Sequence, residues 1–150
     1  MRIAIGSDHG GYALKEHIKT LIVEELGYEV LDVGCEACAQ GVSVDYPDYA
    51  FSVTELVKDG TVERGIAICG TGIGMSIAAN KVPGIRAALV NDLYSARMAR
   101  AHNDANILAL GGRVVGPQIA LEIVKIFLTT PYEGGRHDQR LKKIAEREHV

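Results

Sequence analysis

Short apolar runs alternate along the chain with longer segments in which apolar residues return every three or four positions. Runs of that length read as buried strands and the periodic segments as helices, an alternation that predicts an α/β fold with a parallel sheet. The expected strands are residues 2–5, 28–33, 65–69, 85–90 and 106–110. Between the first two, Leu14, Ile18, Leu21, Ile22 and Leu26 fall at i, i+4, i+7, i+8 and i+12, one apolar helix face, which leaves Lys15, Glu16, Lys19 and Glu25 for water. Gly27 is placed to stop that helix. A second helix should follow Pro47, a first-turn residue whose missing N–H costs nothing there, and end near Gly60. A third starts in the glycine turn after Cys69, and a fourth runs from the caps Asn91 and Asp92 to His102 and Asn103. The fifth, from Pro117 to about Leu128, should turn Ile119, Ile123, Ile126 and Phe127 inward, and the last covers roughly residues 138–148.

With 150 residues and 47% hydrophobic content, the chain can bury one core and is too short for two ordinary domains, so residues 1–150 read as one unit without repeat or linker. The net charge is −3 and the mean hydropathy +0.09, with both signs of charge interspersed. That pattern offers no basic footprint for nucleic acid and no polybasic patch for a membrane, so a small ligand is expected. The first apolar run meets Gly6 after three residues, which predicts neither a signal peptide nor a membrane span there. An odd count of three cysteines in a chain with its own core points to a reducing, cytoplasmic setting.

In a parallel sheet all strands end on one edge, where ligands bind. The segments "GSDHGG", "CGTGIG", "NDLYS" and "GGRVVG" all fall at that edge. The second resembles several phosphate turns and matches none. Met75 and Ser76 follow Gly74 where a P-loop needs lysine, and the spacing G-x-G-x-G misses the third glycine of a dinucleotide fingerprint. Met75 also stands where a cysteine phosphatase loop needs arginine. What survives is the shared physics: the N–H groups of Gly70, Thr71, Gly72, Ile73 and Gly74 lead into a helix N-terminus and can face a developing oxyanion. A helix N-terminus also favours the thiolate of a nearby cysteine, and a thiolate can act as a base, the role this turn suggests for Cys69. The plainer alternative is a buried apolar strand end.

Other groups cluster in the same way. Asp8 and His9 follow the first strand; Asp8 could be an ordinary cap, whereas a cap does not explain an imidazole. His102 and Asn103 end a helix running back from the ligand edge, about 15 Å from Cys69 for ten helical residues. Within one chain they meet Cys69 only with difficulty, so a shared site predicts an isologous dimer. The alternative for His102 is a favourable interaction with its own helix dipole. Arg136 and Arg140 are four apart, a spacing suited to a phosphate or carboxylate or to a plain solvated face, and Arg113 could add a third cation. Cys35 and Cys38 have no partners for a zinc site and sit in what reads as a loop, so they are expected as surface thiols, with a reversible disulfide as the alternative.

Taken in order, "SDHGG", "DYP" (Asp45 to Pro47), "ICGTGIGMSIAANK", "GIRAA", "YSARMARAHNDANILALGGRVVG" and "YEGGRHDQR" make the whole chain resemble the type B ribose-5-phosphate isomerases. The resemblance implies a Rossmann-like three-layer α/β/α sandwich with a five-stranded parallel sheet. It implies a cofactor-independent aldose–ketose isomerase without metal, a homodimer or dimer of dimers with sites at the subunit interface. By it, His102 with Asp8 opens the sugar ring, Cys69 moves the proton through a cis-enediolate, and Thr71 and Asn103 bind the sugar oxygens. Tyr46 and the Gly70 to Gly74 turn line the substrate. His9, Arg113, Arg136 and Arg140 bind the phosphate, the C-terminal helix reaching a neighbouring subunit. One branch of the family uses a glutamate six residues past the cysteine position; Met75 there places this chain in the cysteine branch. Isomerases of six-carbon sugar phosphates, such as allose or galactose 6-phosphate, and a non-catalytic sugar-phosphate-binding module are the competing readings. The cysteines of the 34–44 loop are not expected from the family.

Overall fold

A computed structural model describes residues 1–148 of the protein. Five strands, β1 (Arg2–Ser7), β2 (Glu29–Asp32), β3 (Arg64–Cys69), β4 (Ala87–Leu89) and β5 (Ile107–Gly111), pair in parallel in the order β2-β1-β3-β5-β4. The central strands β1, β3 and β5 are almost wholly buried, which is why they read as continuous apolar runs rather than alternating ones. Helices α1 (Tyr12–Thr20), α4 (Leu93–Ala101) and α5 (Pro117–Thr129) cover one face with a cluster that includes Ile18, Ala96, Ile123 and Phe127. Helices α2 (Tyr46–Lys58) and α3 (Ile73–Ala79) cover the other through Ala50, Val53, Met75 and Ala79. The result is the expected three-layer sandwich with a five-stranded parallel sheet. Each fully buried aliphatic side chain in those layers contributes about 2 kcal/mol from burial alone. Helix α6 (Asp138–Ala145) has no buried residue and ends before the expected limit. Among the described residues, no helix is long and apolar enough to cross a membrane.

Several boundaries follow local chemistry. Gly27, at φ +69, ends the turns that continue α1, and these widen to π-helical spacing over Leu21–Leu26. Pro47 lies in the first turn of α2, and Asp92 caps α4 by accepting the Ser95 N–H at 2.7 Å.

Three expectations are corrected. Lys15 does not face water: it is 2% exposed, with Nζ 2.9 Å from Asp32 Oδ1 and 2.8 Å from the Gly34 carbonyl. Its aliphatic stem is long enough to cross the helix–sheet layer and deliver the charge to the end of β2. Ile119 is 47% exposed, because the buried stripe of α5 runs through Ala120, Ile123, Val124, Phe127 and Leu128 instead. Cys35 and Cys38 are not surface thiols; both are buried and joined as a disulfide across a single 3-10 turn, Ala37–Gln40. The Cys38 N–H donates to Cys35 Sγ at 3.1 Å.

Candidate active site

The turns that follow β1, β3 and β5 lie together because those strands are neighbours. From β1 the chain crosses by α1 to β2 at one edge, then returns by α2 on the opposite face to β3 on the other side of β1. Strand order therefore reverses between β1 and β3, and the crevice at such a switch point is the usual ligand site of an open α/β sheet. "SDHGG" and "CGTGIG" flank it.

Cys69 is the last residue of β3 and is 5% exposed. Its carbonyl accepts the Gly112 N–H at 2.8 Å, and its Sγ accepts the Gly72 N–H at 3.1 Å, so both ends of the residue are held. Gly72 is at φ +79 and a Cβ on it would stand 2.8 Å from the Leu110 carbonyl carbon, which leaves glycine as the residue that fits. The Ile73 N–H donates to Thr71 Oγ1 at 3.2 Å. Of the five N–H groups expected to face a ligand, two are thus engaged within the turn, one on the sulfur itself.

Cys69, Gly70, Thr71, Ile73 and Gly74 line an open cleft of about 390 Å³ together with Asp8 and Tyr46. The Tyr46 ring lies against Gly74, where a Cβ would come within 2.6 Å of it. Asp8 is not the N-cap of α1, a place Gly11 takes; it is buried in the turn before that helix, its Oδ1 accepts the N–H groups of Gly10 and Gly11 at 2.9 and 3.2 Å, and it lines the cleft. His9 Nδ1 accepts the Val44 N–H at 3.2 Å, which assigns its ring proton to Nε2 and leaves that N–H as a donor. Arg113 donates its backbone N–H to the Gly70 carbonyl at 3.0 Å, and its Nη1 lies 3.3 Å from where a Gly70 Cβ would be. The guanidinium of this exposed residue lies beside the thiol turn.

His102, Asn103, Arg136 and Arg140 are not brought to this cleft. His102 is the C-cap of α4, and the chain then enters β5 from its amino end, at the edge of the sheet opposite Cys69. Asn103 lines a larger cavity, about 760 Å³, with Arg86, Leu141 and Ile144. Neither a histidine nor a cysteine lines that cavity, so size does not make it the reactive site. Arg136 lies in the 3-10 turn Gly135–His137 that leads into α6, and Arg140 Nη1 donates to its carbonyl at 3.4 Å; both are exposed. Beside His102 stand two residues given no role by the sequence reading. The His137 ring stacks on that of His102 at 4.3 Å between centroids, and Glu133 Oε2 lies 3.8 and 3.6 Å from the two Nε2 atoms. The glycine pair in "YEGGRH" was the available signal, because Gly134 and Gly135, at φ +65 and +58, fold the chain back onto the end of α4.

Comparison with known proteins places this geometry. The family model for the ribose/galactose isomerases matches residues 3–144. The ribose-5-phosphate isomerase B of Escherichia coli is 50% identical over 143 residues, 95% of this chain and 93% of that one. The D-erythrulose-4-phosphate isomerase of Pectobacterium atrosepticum is 44% identical over 149 residues, 99% of this chain and 96% of that one. The solved structure of ribose-5-phosphate isomerase B from Clostridium thermocellum superposes with a TM-score of 0.94 at 57% identity, covering 99% of this chain and 98% of that one. The chain belongs to the ribose/galactose isomerase family.

Proposed function

We propose that the protein interconverts D-ribose 5-phosphate and D-ribulose 5-phosphate, with Cys69 as the base and His102, supplied by a second subunit, as the acid that opens the ring. The observation that carries the reading is the Cys69 thiol itself: fixed at the sheet's switch point, touched by a backbone N–H, and open to a cleft that also presents Asp8 and Thr71. In the ring form of the sugar, His102 protonates the ring oxygen as the C1–O4 bond breaks, and Asp8 accepts the proton of the C1 hydroxyl. Cys69 then removes the C2 proton and returns it to C1, while the hydroxyl proton passes from O2 to O1. The negative charge of the cis-enediolate between these steps falls on the sugar oxygens, and the N–H groups of the turn and the Asn103 of a second subunit stabilise it. His9 Nε2–H and Arg113 bind the phosphate with Arg136 and Arg140 of the second subunit, whose forked guanidiniums suit it. No cofactor takes part in any step.

Isomerisation of a shorter or longer sugar phosphate is the second reading, favoured by the 44% identity to a D-erythrulose-4-phosphate isomerase. Substrate length is set by the span from Cys69 to the phosphate cations, so ribose 5-phosphate, erythrulose 4-phosphate and allose 6-phosphate should be assayed in parallel. Cys69→Ala is expected to lower pentose turnover by about 10³-fold, the scale of a lost acid–base catalyst, and to leave substrate binding within a few-fold. Turnover that survives the substitution contradicts Cys69 as the base. Binding without turnover in the unsubstituted protein would reduce it to a sugar-phosphate-binding module.

A further inference from the structure

The end of α4 and the turn before α6 assemble a group of side chains that isomerisation does not require as a set. Glu133 is fixed there because its backbone N–H donates to the carbonyl of Ala101, the last residue of α4, at 3.0 Å. Two residues at positive φ then bring His137 back over His102. His137 is 6% exposed, and its Nε2, a buried polar atom, has no hydrogen-bond partner. A buried ring nitrogen without a partner costs free energy that a ligand would recover. The nearest carboxylate oxygen is Glu133 Oε2 at 3.6 Å, too far for a hydrogen bond and close to the separation of two ligands on one metal ion.

We infer that His102, Glu133 and His137 form a binding site for a late first-row divalent cation, zinc(II) above all, and that the ion inhibits the enzyme. One ligand atom from each residue lies within 4.8 Å of the others. Tetrahedral coordination with bonds of about 2.1 Å places ligand atoms about 3.4 Å apart. Both edges that involve Glu133, at 3.8 and 3.6 Å, are already near that value. The third closes by rotation of the His102 ring, whose side chain is 34% exposed and has room to turn. Two imidazoles and one carboxylate leave a fourth position for water, a donor set suited to zinc, cobalt or copper and poorly suited to magnesium or calcium. The C-terminus of α4 adds the negative end of its dipole.

Binding stands on the three side chains alone, whereas its effect on turnover rests on the reading of His102 as the ring-opening acid. An ion on Nε2 occupies the lone pair through which that nitrogen would carry its proton.

The test uses the full chain and zinc(II) itself. Calorimetric titration and the visible spectrum of the cobalt(II) form report occupancy, and ribose 5-phosphate turnover is measured with zinc and again after a chelator. One ion per chain is expected, with turnover falling as it binds and returning on chelation. Glu133→Gln, at an exposed position outside the proposed catalytic set, should keep basal turnover and weaken both zinc binding and inhibition by more than about tenfold. His137→Asn should weaken binding likewise, and Cys69→Ala should leave it unchanged. Absence of binding, or binding that is indifferent to Glu133→Gln and His137→Asn, overturns the site; so does binding lost only with Cys69. Binding that both variants weaken, with turnover untouched by zinc, upholds the site and overturns His102 as the acid.

Discussion

Cys69 depends on a residue that has no side chain. Gly72 turns the chain at φ +79 so that its N–H meets the sulfur, and its missing Cβ leaves room for the Leu110 carbonyl carbon and for Leu89. Gly72→Ala should therefore cost about 3 kcal/mol, combining the left-handed backbone penalty with overpacking, read as a lower urea midpoint. An unchanged midpoint would mean that the turn relaxes and does not hold the thiol. At this scale the sequence was informative: three glycines after a strand-ending cysteine specify a tight turn with N–H groups on its concave side, whatever the substrate. What it could not show is how those N–H groups are shared, because that depends on the register of Cys69 against the next turn. The partnership of Glu133 with His102 and His137 was hidden for a similar reason, since it joins atoms about 30 residues apart through backbone angles that only Gly134 and Gly135 supply.

Among the elements, the anchoring of α1 to β2 is the least expected contact. Burial alone would raise the Asp32 carboxyl, but hydrogen bonds from Lys19, the Gly34 N–H and Lys15 outweigh it and hold the group below the usual aspartate range. Because the folded value is depressed, this contribution is present above the unfolded value of about 3.9 and is lost as pH falls below it through the folded one. Asp32→Asn should thus lower stability at neutral pH and flatten the loss of stability below about pH 4. Lys15→Ala leaves a partly buried carboxylate short of its inner partner and should cost about 3 kcal/mol; Lys19→Ala, nearer the solvent, should cost under about 1. Equal costs for the two lysines, by urea denaturation, would contradict the buried pair. Helical periodicity assigns faces to within about one position, which is why Lys15, next to Leu14, and Ile119, next to Ala120, were both misplaced. The central strands were legible because burial on both sides leaves almost no polar position to mislead. The pairing of Cys35 with Cys38 stood only as the alternative to surface thiols, since nothing in "GCEACAQG" distinguishes a loop from one turn of 3-10 helix.

In the molecule as a whole, the proposed catalytic set is divided between the two edges of one sheet. The carboxyl edge holds Cys69, Asp8, Thr71, His9 and Arg113; the amino edge holds His102, with Arg136 and Arg140 on the segment that folds back beside it. The direction of α4 made this division readable from the sequence, and it is the reason the proposed mechanism draws on a second copy of the chain. In that proposal the α6 helix, without a buried residue of its own, is the element that reaches the second copy. Subunit complementation tests the requirement directly. Cys69→Ala and His102→Asn are each expected to be inactive alone; unfolded together in equal amounts and refolded, half of the dimers should be mixed, each with one intact site. The pentose isomerase activity of the mixture should recover to about a quarter of the unsubstituted protein's. No recovery, in a mixture shown to contain mixed dimers, would contradict a site shared between subunits.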